Sequence, residues 1–441
     1  MNKLRPLLGL ILASFILAIS FSPQAISVLS LPDYQRMVVG ESSHIVIDLP
    51  SQLASKLDMK VTGLSTSVFA SPQDPPVSII KNDAGYEIVA IKPGKVDVKL
   101  NLWGYIPLKS MAIESVPNRR VVVGGHSIGV MLQSRGIMVV GFAPVIDNWG
   151  EKRYPARDSG VEIGDLIFRV DGRSVNSEND LAMIIDEHKD REIVLEIKRK
   201  GQTISLPVQA VYCGETGRYR IGLFVRDGVV GVGTLTFWEP QSKVFAALGH
   251  IIIDGDTKQG IDVLKGQVVS ASIQSVKPGR PGKPGEKIGI FNSNGPIKGS
   301  ITKNTYYGIF GQTEGDVRGP FNSHTIEVGY AHQVKEGQAE MYTVVNGDTI
   351  EAFSIEIEKV YPERENGKGM IIRVTDPRLL TLTGGIIQGM SGSPIVQNSR
   401  LVGAITHVFL NDPQRGYGVF MDNMLAELPG GNMNFKTSTN Y

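Results

Sequence analysis

Gly384-Gly385-Ile386-Ile387-Gln388-Gly389-Met390-Ser391-Gly392-Ser393-Pro394-Ile395-Val396 is the stretch on which the reading of this 441-residue chain turns. A serine hydroxyl attacks a carbonyl poorly unless it stands on a tight turn, has a base to take its proton and faces backbone donors for the oxyanion. Glycines at 389 and 392 allow such a turn and leave the backbone bare for a substrate carbonyl to approach. Ile395-Val396 and then Leu401-Val402-Gly403-Ala404-Ile405 read as buried strand holding that turn rigid. Taken alone, the string also fits a glycine-rich hairpin with two incidental serines.

Its surroundings favour chemistry. Phe245-Ala246-Ala247-Leu248-Gly249-His250 ends an apolar strand in a histidine 141 residues before Ser391. Beyond the serine, Ala404–Phe409 and Gly416–Phe420 read as strands and Asn423–Leu428 as a helix. The Gly-x-Ser-Gly-Ser-Pro string resembles the nucleophile turn of chymotrypsin-like serine proteases, including their PDZ-bearing bacterial relatives. That resemblance implies two small β-barrels with the site in the cleft between them. It makes Ser391 the nucleophile, His250 the general base, and the backbone N–H groups of Gly389 and Ser391 the oxyanion hole. Ser393 is expected to be structural, because the turn aims only one serine at the cleft. His188, His324 and His332 lack such context; His407, in the presumed substrate strand, could line a pocket.

The acid is less plain. Chymotrypsin-like enzymes carry it several tens of residues after the histidine, and no aspartate lies between Asp262 and Asp316. Asp376, Asp254 and Asp316 are the candidates. Asp376 precedes Pro377 and also suits an Asx turn.

Upstream, Asp158-Ser159-Gly160-Val161-Glu162-Ile163-Gly164-Asp165-Leu166-Ile167-Phe168-Arg169-Val170-Asp171-Gly172 is followed by Asn176-Ser177-Glu178-Asn179. The latter opens a helix with Leu181, Ile184 and Ile185 on one face. This order of Gly-Asp turn, Asp-Gly hairpin and helix resembles a PDZ domain of the kind attached to bacterial proteases, over 119–212. The resemblance implies a peptide added as an extra strand, its carboxylate held by the loop Ser127-Ile128-Gly129-Val130. Before it, 33–118 alternate as short segments such as His44–Leu49 and Val96–Leu100 between Pro, Gly and Asn-Asp turns, the pattern of a small antiparallel β domain.

At the amino terminus, Lys3 and Arg5 precede an apolar heart at Leu7–Phe21, the pattern of an export segment over 1–32. Fifteen residues lie between a signal-peptide core and a bilayer span, and Ala25-Ile26-Ser27 is spaced for cleavage, so a cleaved signal and a retained anchor both fit. With 45 Lys+Arg against 44 Asp+Glu and a net charge of +1, the chain lacks the basic excess a nucleic-acid binder needs. Fifty Gly and 24 Pro favour short strands and turns over helix bundles. Cys213, alone, excludes an intrachain disulfide and Cys-rich metal sites, and neither metal nor organic cofactor is implied. The basic run Lys277–Lys287, with six prolines or glycines among four cations, is expected to be an exposed, mobile excursion.

The 213–441 stretch is thus expected to be a chymotrypsin-like peptidase, and the whole chain mainly β. Leu102–Lys109, Gly124–Val130, Ala247–His250 and Thr375–Pro394 together resemble the stage IV sporulation protein B family of endospore-forming bacteria, nearly end to end. That resemblance places the third catalytic residue on Asp376. It implies a signalling serine endopeptidase, exported across the forespore membrane into the intermembrane space. Such an enzyme processes its own N-terminal region and cleaves a membrane-bound regulator, which triggers sigma factor activation. An envelope quality-control protease and an inert PDZ scaffold are the alternatives.

Overall fold

The computed structural model describes residues 28–47, 51–64, 75–82, 85–317, 324–362 and 366–428, with Ser22, Ile26 and Arg364 besides. The apolar segment expected over Leu7–Phe21 lies outside them. Among the described residues no helix is long and apolar enough to cross a membrane. The chain divides into two compact units, Met1–Arg119 and Arg120–Tyr441.

In the first unit, strands Tyr34–Val38, Ile106–Val116, Gly94–Leu102 and Leu57–Leu64 form one sheet in that spatial order, the first pair parallel and the rest antiparallel. Ser42–Ile45, Gly85–Ala90 and Val77–Asn82 form a second, antiparallel sheet. Alternation decides which faces turn inward: Val96, Val98 and Leu100 are buried with Ile88, Met111 and Ile113.

The second unit holds three hydrophobic cores. Around the first, strands close a six-membered antiparallel ring: Leu223–Glu239, Val244–Ala247, Gly308–Thr313, Lys298–Thr305, Val263–Lys277 and Ser127–Phe142, which returns to the first. Val130, Leu132, Leu235, Phe245, Val268 and Ile309 fill it. Around the second, Gly337–Val344, Ile350–Val360, Met370–Val374, Asp412–Phe420, Arg400–Phe409 and Pro394–Gln397 close an equivalent ring. Met341, Phe353, Ile372, Ile395 and Phe420 lie inside. A ring of strands leaves no unpaired edge, and inward side chains of this size fill it as a core. Arg120–Val123 and Thr325–Val328 link the rings, pairing with each other and with one strand from either side. The chain is therefore mainly β, with the double barrel of a chymotrypsin-like peptidase.

The third core is the PDZ domain, and its boundaries correct the expected 119–212. Ser127–Phe142 and Leu223–Glu239 are single long strands that run from one domain into the other. Their barrel-side halves, 127–134 and 228–234, pair in the first barrel; their other halves, 137–142 and 223–226, pair in the PDZ core with Ile137, Val139 and Ile221. The PDZ domain is thus inserted within the first barrel, and the peptidase begins at Arg120 rather than at 213. The PDZ helix spans Glu178–His188 and is opened by a capping box between Ser177 and Asp180. Leu181, Ile184 and Ile185 face its core, as their spacing requires.

Candidate active site

The nucleophile turn sits between the helix Pro377–Thr383 and the strand Pro394–Gln397. Gly392 has φ +91°, and a Cβ there would lie 2.1 Å from Thr234 O and 2.4 Å from Leu248 N. Only glycine lets the turn approach the first barrel so closely. The Leu223–Glu239 strand stitches the turn down: Thr234 N–H donates to Ser391 O over 2.9 Å, Thr234 Oγ1–H to Gly389 O over 2.7 Å, and Thr236 Oγ1–H to Gly392 O over 2.8 Å. From the second barrel, Ile405 O accepts from Gly392 N–H at 2.8 Å. Both threonines are fully buried. The sequence reading missed them; a Thr-Leu-Thr alternation with both hydroxyls turned inward is the one signal that could have pointed there.

Ser391 and Gly249, the residue before His250, both approach Thr406. Ser391 Oγ–H donates to Thr406 O over 2.9 Å. A Cβ on Gly249, the residue before His250, would lie 2.9 Å from Thr406 Cγ2. The His250 ring stands 5.1 Å from that of His407, so the presumed pocket residue does face the base. His250 Nδ1 lies 2.8 Å from Ile251 O. A carbonyl only accepts, so Nδ1 carries the proton and Nε2 keeps its lone pair. Burial holds the imidazole below the ordinary histidine pKa, against a smaller upward pull from the Ile251 carbonyl. In this arrangement the Ser391 hydroxyl points to Thr406 rather than to His250. Among the described residues, neither Gly389 N–H nor Ser391 N–H has a hydrogen-bond partner. A serine on a rigid turn, an unprotonated imidazole nitrogen and two uncommitted N–H groups are the parts acyl transfer needs.

The aspartates are placed differently from expectation. Among the described residues Asp376 makes no hydrogen bond to His250. Its carboxylate caps the following helix through Arg378 N–H at 2.9 Å, accepts from Ser354 N–H at 3.3 Å and pairs with the Arg378 guanidinium at 3.0 Å. Arg378 holds its pKa below the usual carboxylate range. In this structure Asp376 is the N-cap of the helix that Pro377 opens. Asp254 is buried and accepts from Asp256 N–H, Thr257 N–H and Thr257 Oγ1–H while pairing with Arg226 at 2.7 Å. Asp316 is exposed.

Ser127, Ile128, Gly129 and Val130, expected as the PDZ carboxylate loop, are corrected too. They are barrel strand, paired on one side with Gly231–Thr234 and, over 128–130, on the other with Val268–Ser270. With both edges taken, Ile128, Gly129 and Val130 offer no free strand edge to a peptide. The strand that runs beside the PDZ helix is instead Leu223–Arg226. It pairs with Met138–Phe142 on one edge and has no strand partner on the other among the described residues. Before it, Arg218–Arg220 is a short strand paired antiparallel with Val211–Cys213.

The segment after His250 ties the catalytic side to the PDZ side. Arg226 reaches Asp254, Gln259 Nε2–H donates to Gly164 O over 3.0 Å, and Thr257 Oγ1 lies 2.8 Å from Met138 Sδ. The Lys277–Lys287 run is likewise no free excursion. Gly279 N–H donates to Thr383 O, Gly282 N–H to Leu410 O and Lys287 N–H to Gln388 O, all onto the second barrel. It delivers Lys287, fully buried, beneath the turn: Nζ donates to Thr343 Oγ1 over 2.7 Å, and Ser393 Oγ meets the same oxygen at 3.0 Å. Burial pushes the Lys287 amine down to about 7. Ser393, with no exposure, is structural.

Comparison with known proteins falls on the same parts. Residues 217–425 match the SpoIVB peptidase S55 family, and residues 146–199 match the PDZ domain family. The curated Regulator of sigma-E protease RseP of Escherichia coli (strain K12) is 27% identical over 199 residues, 44% of this chain and 40% of that protein. The chain spans less than half the length of the curated relatives it matches. Among solved structures, the PDZ domain of the SdrC-like protein from Listeria monocytogenes is 22% identical, covering 21% of this chain and 90% of that one at a TM-score of 0.18. The protease Anisep from Arthrobacter nicotinovorans is 12% identical, covering 44% and 84% at a TM-score of 0.28.

Proposed function

Taking the chain as a PDZ-containing serine peptidase of the SpoIVB type, we propose that it is a signalling endopeptidase of sporulation. It is exported across the forespore membrane, cleaves its own N-terminal region within 26–60, and cuts a membrane-bound regulator whose cleavage leads to sigma factor activation. Ser391 attacks the scissile carbonyl while His250 Nε2 takes the hydroxyl proton and later returns it to the leaving amine. Gly389 N–H and Ser391 N–H receive the oxyanion. The observation that carries this reading is the convergence of Ser391 and the residue before His250 on Thr406, in the cleft between two closed barrels.

The test uses residues 33–441, the full chain and its Ser391→Ala variant, each presented with its own N-terminal segment, candidate membrane regulators of the host and denatured casein. Loss of self-processing and of regulator cleavage in Ser391→Ala, with casein spared by the active enzyme, is the expected result. Rapid digestion of casein would replace the signalling role with quality control. Unchanged cellular function in Ser391→Ala would mean an inert scaffold.

A further inference from the structure

The two N–H groups that would receive the oxyanion belong to the Gln388–Gly389 and Met390–Ser391 peptide planes. In a trans peptide the N–H points opposite to the C=O, so whatever holds each carbonyl also aims its N–H. Gln388 O accepts from Lys287 N–H at 2.9 Å, and Gln388 N–H donates to Gly285 O at 2.9 Å, both on the hairpin that extends from the first barrel. Met390 O accepts from Ser393 N–H at 2.9 Å. The Ser393 hydroxyl donates to Thr343 Oγ1 over 3.0 Å, and the same oxygen accepts from Lys287 Nζ at 2.7 Å. A threonine hydroxyl has lone pairs for both. Lys287 is therefore tied to one plane by its main chain and to the other by its side chain.

We propose that Lys287 is the positioning residue of the oxyanion site, its main chain aiming Gly389 N–H while its amine, through Thr343 and Ser393, aims Ser391 N–H. The stem of the side chain fits that role. A Cβ on Gly389, where φ is +93°, would lie 3.1 Å from both Cβ and Cδ of Lys287, so the stem runs directly against the turn. Lys287, Thr343 and Ser393 are all buried, so water does not compete for the bonds that join them. The amine has a proton to give Thr343 whether it is charged or neutral, and the tether survives the low pKa that burial imposes. Thr234 holds the two intervening carbonyls, Gly389 O and Ser391 O, so four successive planes between 388 and 392 are fixed. This inference rests on the peptidase reading given above.

The test follows a fluorophosphonate probe, from which Ser391 Oγ displaces fluoride at phosphorus, over a range of probe concentrations on the full chain. Such data separate the binding constant of the probe, the rate constant of the bond-forming step and the fraction of chain that labels. A misaimed N–H weakens the transition state alone. Lys287→Met, Thr343→Val and Ser393→Ala should each lower the rate constant about tenfold, less than outright loss of an oxyanion donor costs. Binding constant and labelled fraction should stay the same. Because the three side chains act in series, Lys287→Met combined with Thr343→Val should be no slower than either alone. Hydrogen exchange over 388–393 should rise in each variant, and the Lys287 N–H of the wild type, which reads the main-chain arm, should exchange slowly. A wild-type rate constant in folded Lys287→Met or Thr343→Val, multiplied effects in the double variant, or fast exchange of Lys287 N–H would each overturn the proposal. So would a lower labelled fraction at an unchanged rate constant, the mark of a purely structural role. Should Lys287→Met fail to fold, Thr343→Val and Ser393→Ala decide. Labelling that persists in Ser391→Ala would overturn the peptidase reading instead, and exchange over 388–393 would still decide whether Lys287 holds the turn.

Discussion

Thr234 holds Ser391 from behind, its N–H donating to the serine carbonyl over 2.9 Å while its hydroxyl donates to Gly389 O over 2.7 Å. One residue of the first barrel thereby pins the Gly389–Met390 and Ser391–Gly392 peptide planes, on either side of the Met390–Ser391 bond. Thr234→Val keeps the shape and the main-chain bond but strands Gly389 O, a loss of about 1–3 kcal/mol for a buried unpaired acceptor. Denaturant unfolding should register that loss. Fluorophosphonate labelling of Ser391 should slow as well, since freeing the Gly389–Met390 peptide plane loosens the turn that carries the serine. An unchanged labelling rate in a destabilised variant would confine Thr234 to a structural role.

His250 is held below its ordinary pKa by burial. A base acts when neutral, so activity should persist below pH 6.5 and fall only as the pH drops through the lowered folded-state value. The unfolded chain protonates this ring first, so the same window removes stability as acid is added. A pH–rate profile of labelling whose acid limb lies at or above the free-histidine value would contradict this.

Lys287 carries its cost in the folded state, where burial takes its amine from 10.5 to about 7. A lysine depressed by folding binds fewer protons folded than unfolded, so stability rises with pH between those values. Lys287→Met, of similar length and apolar, should therefore raise the melting temperature most at about pH 6 and least above about pH 10. Calorimetry at the two extremes decides it; an equal shift at both would mean the ammonium is stabilised by something other than Thr343.

Arg226 and Asp254 join the PDZ edge strand to the loop after His250, with Asp254 1% and Arg226 39% exposed. Removing the arginine leaves a buried carboxylate with three neutral donors, so Arg226→Met should cost about 1–2 kcal/mol, below the full buried-pair penalty because half the pair meets water. Hydrogen exchange should rise over 254–261 ahead of the rest of the barrel. Uniform exchange across both barrels would show that the pair does not anchor this loop.

Local chemistry was legible in the sequence, and long-range topology was not. The Ser391 turn announced itself because a tight turn needs its glycines in place, and Leu181, Ile184 and Ile185 announced a helix because period 3.6 is written in adjacent residues. Ser127–Val130 misled for the converse reason. Gly129 looks like loop glycine, but it is a strand residue kept small by the Phe291 ring, 162 positions further on, which would lie 2.6 Å from a Cβ there. Asp376-Pro377 admits both a capping and a catalytic reading, and its spacing does not show that Ser354, 22 positions earlier, donates to the carboxylate. Asn304 and Lys287 are ordinary polar strand residues; their partners, Ile252 and Thr343, come from other elements and no spacing rule links them.

The PDZ insertion also governs assembly. Strand 127–134 leaves the synthesis machinery long before 228–234 and 263–270, the segments that will flank it. Until then its backbone has nothing to pair with. The intervening module folds on local contacts and returns the chain at Arg226 beside Met138, already in register with the waiting segment. A graft that put another module here would succeed or fail on whether its two ends emerge side by side and antiparallel. The guest is thus the jig on which its host is put together.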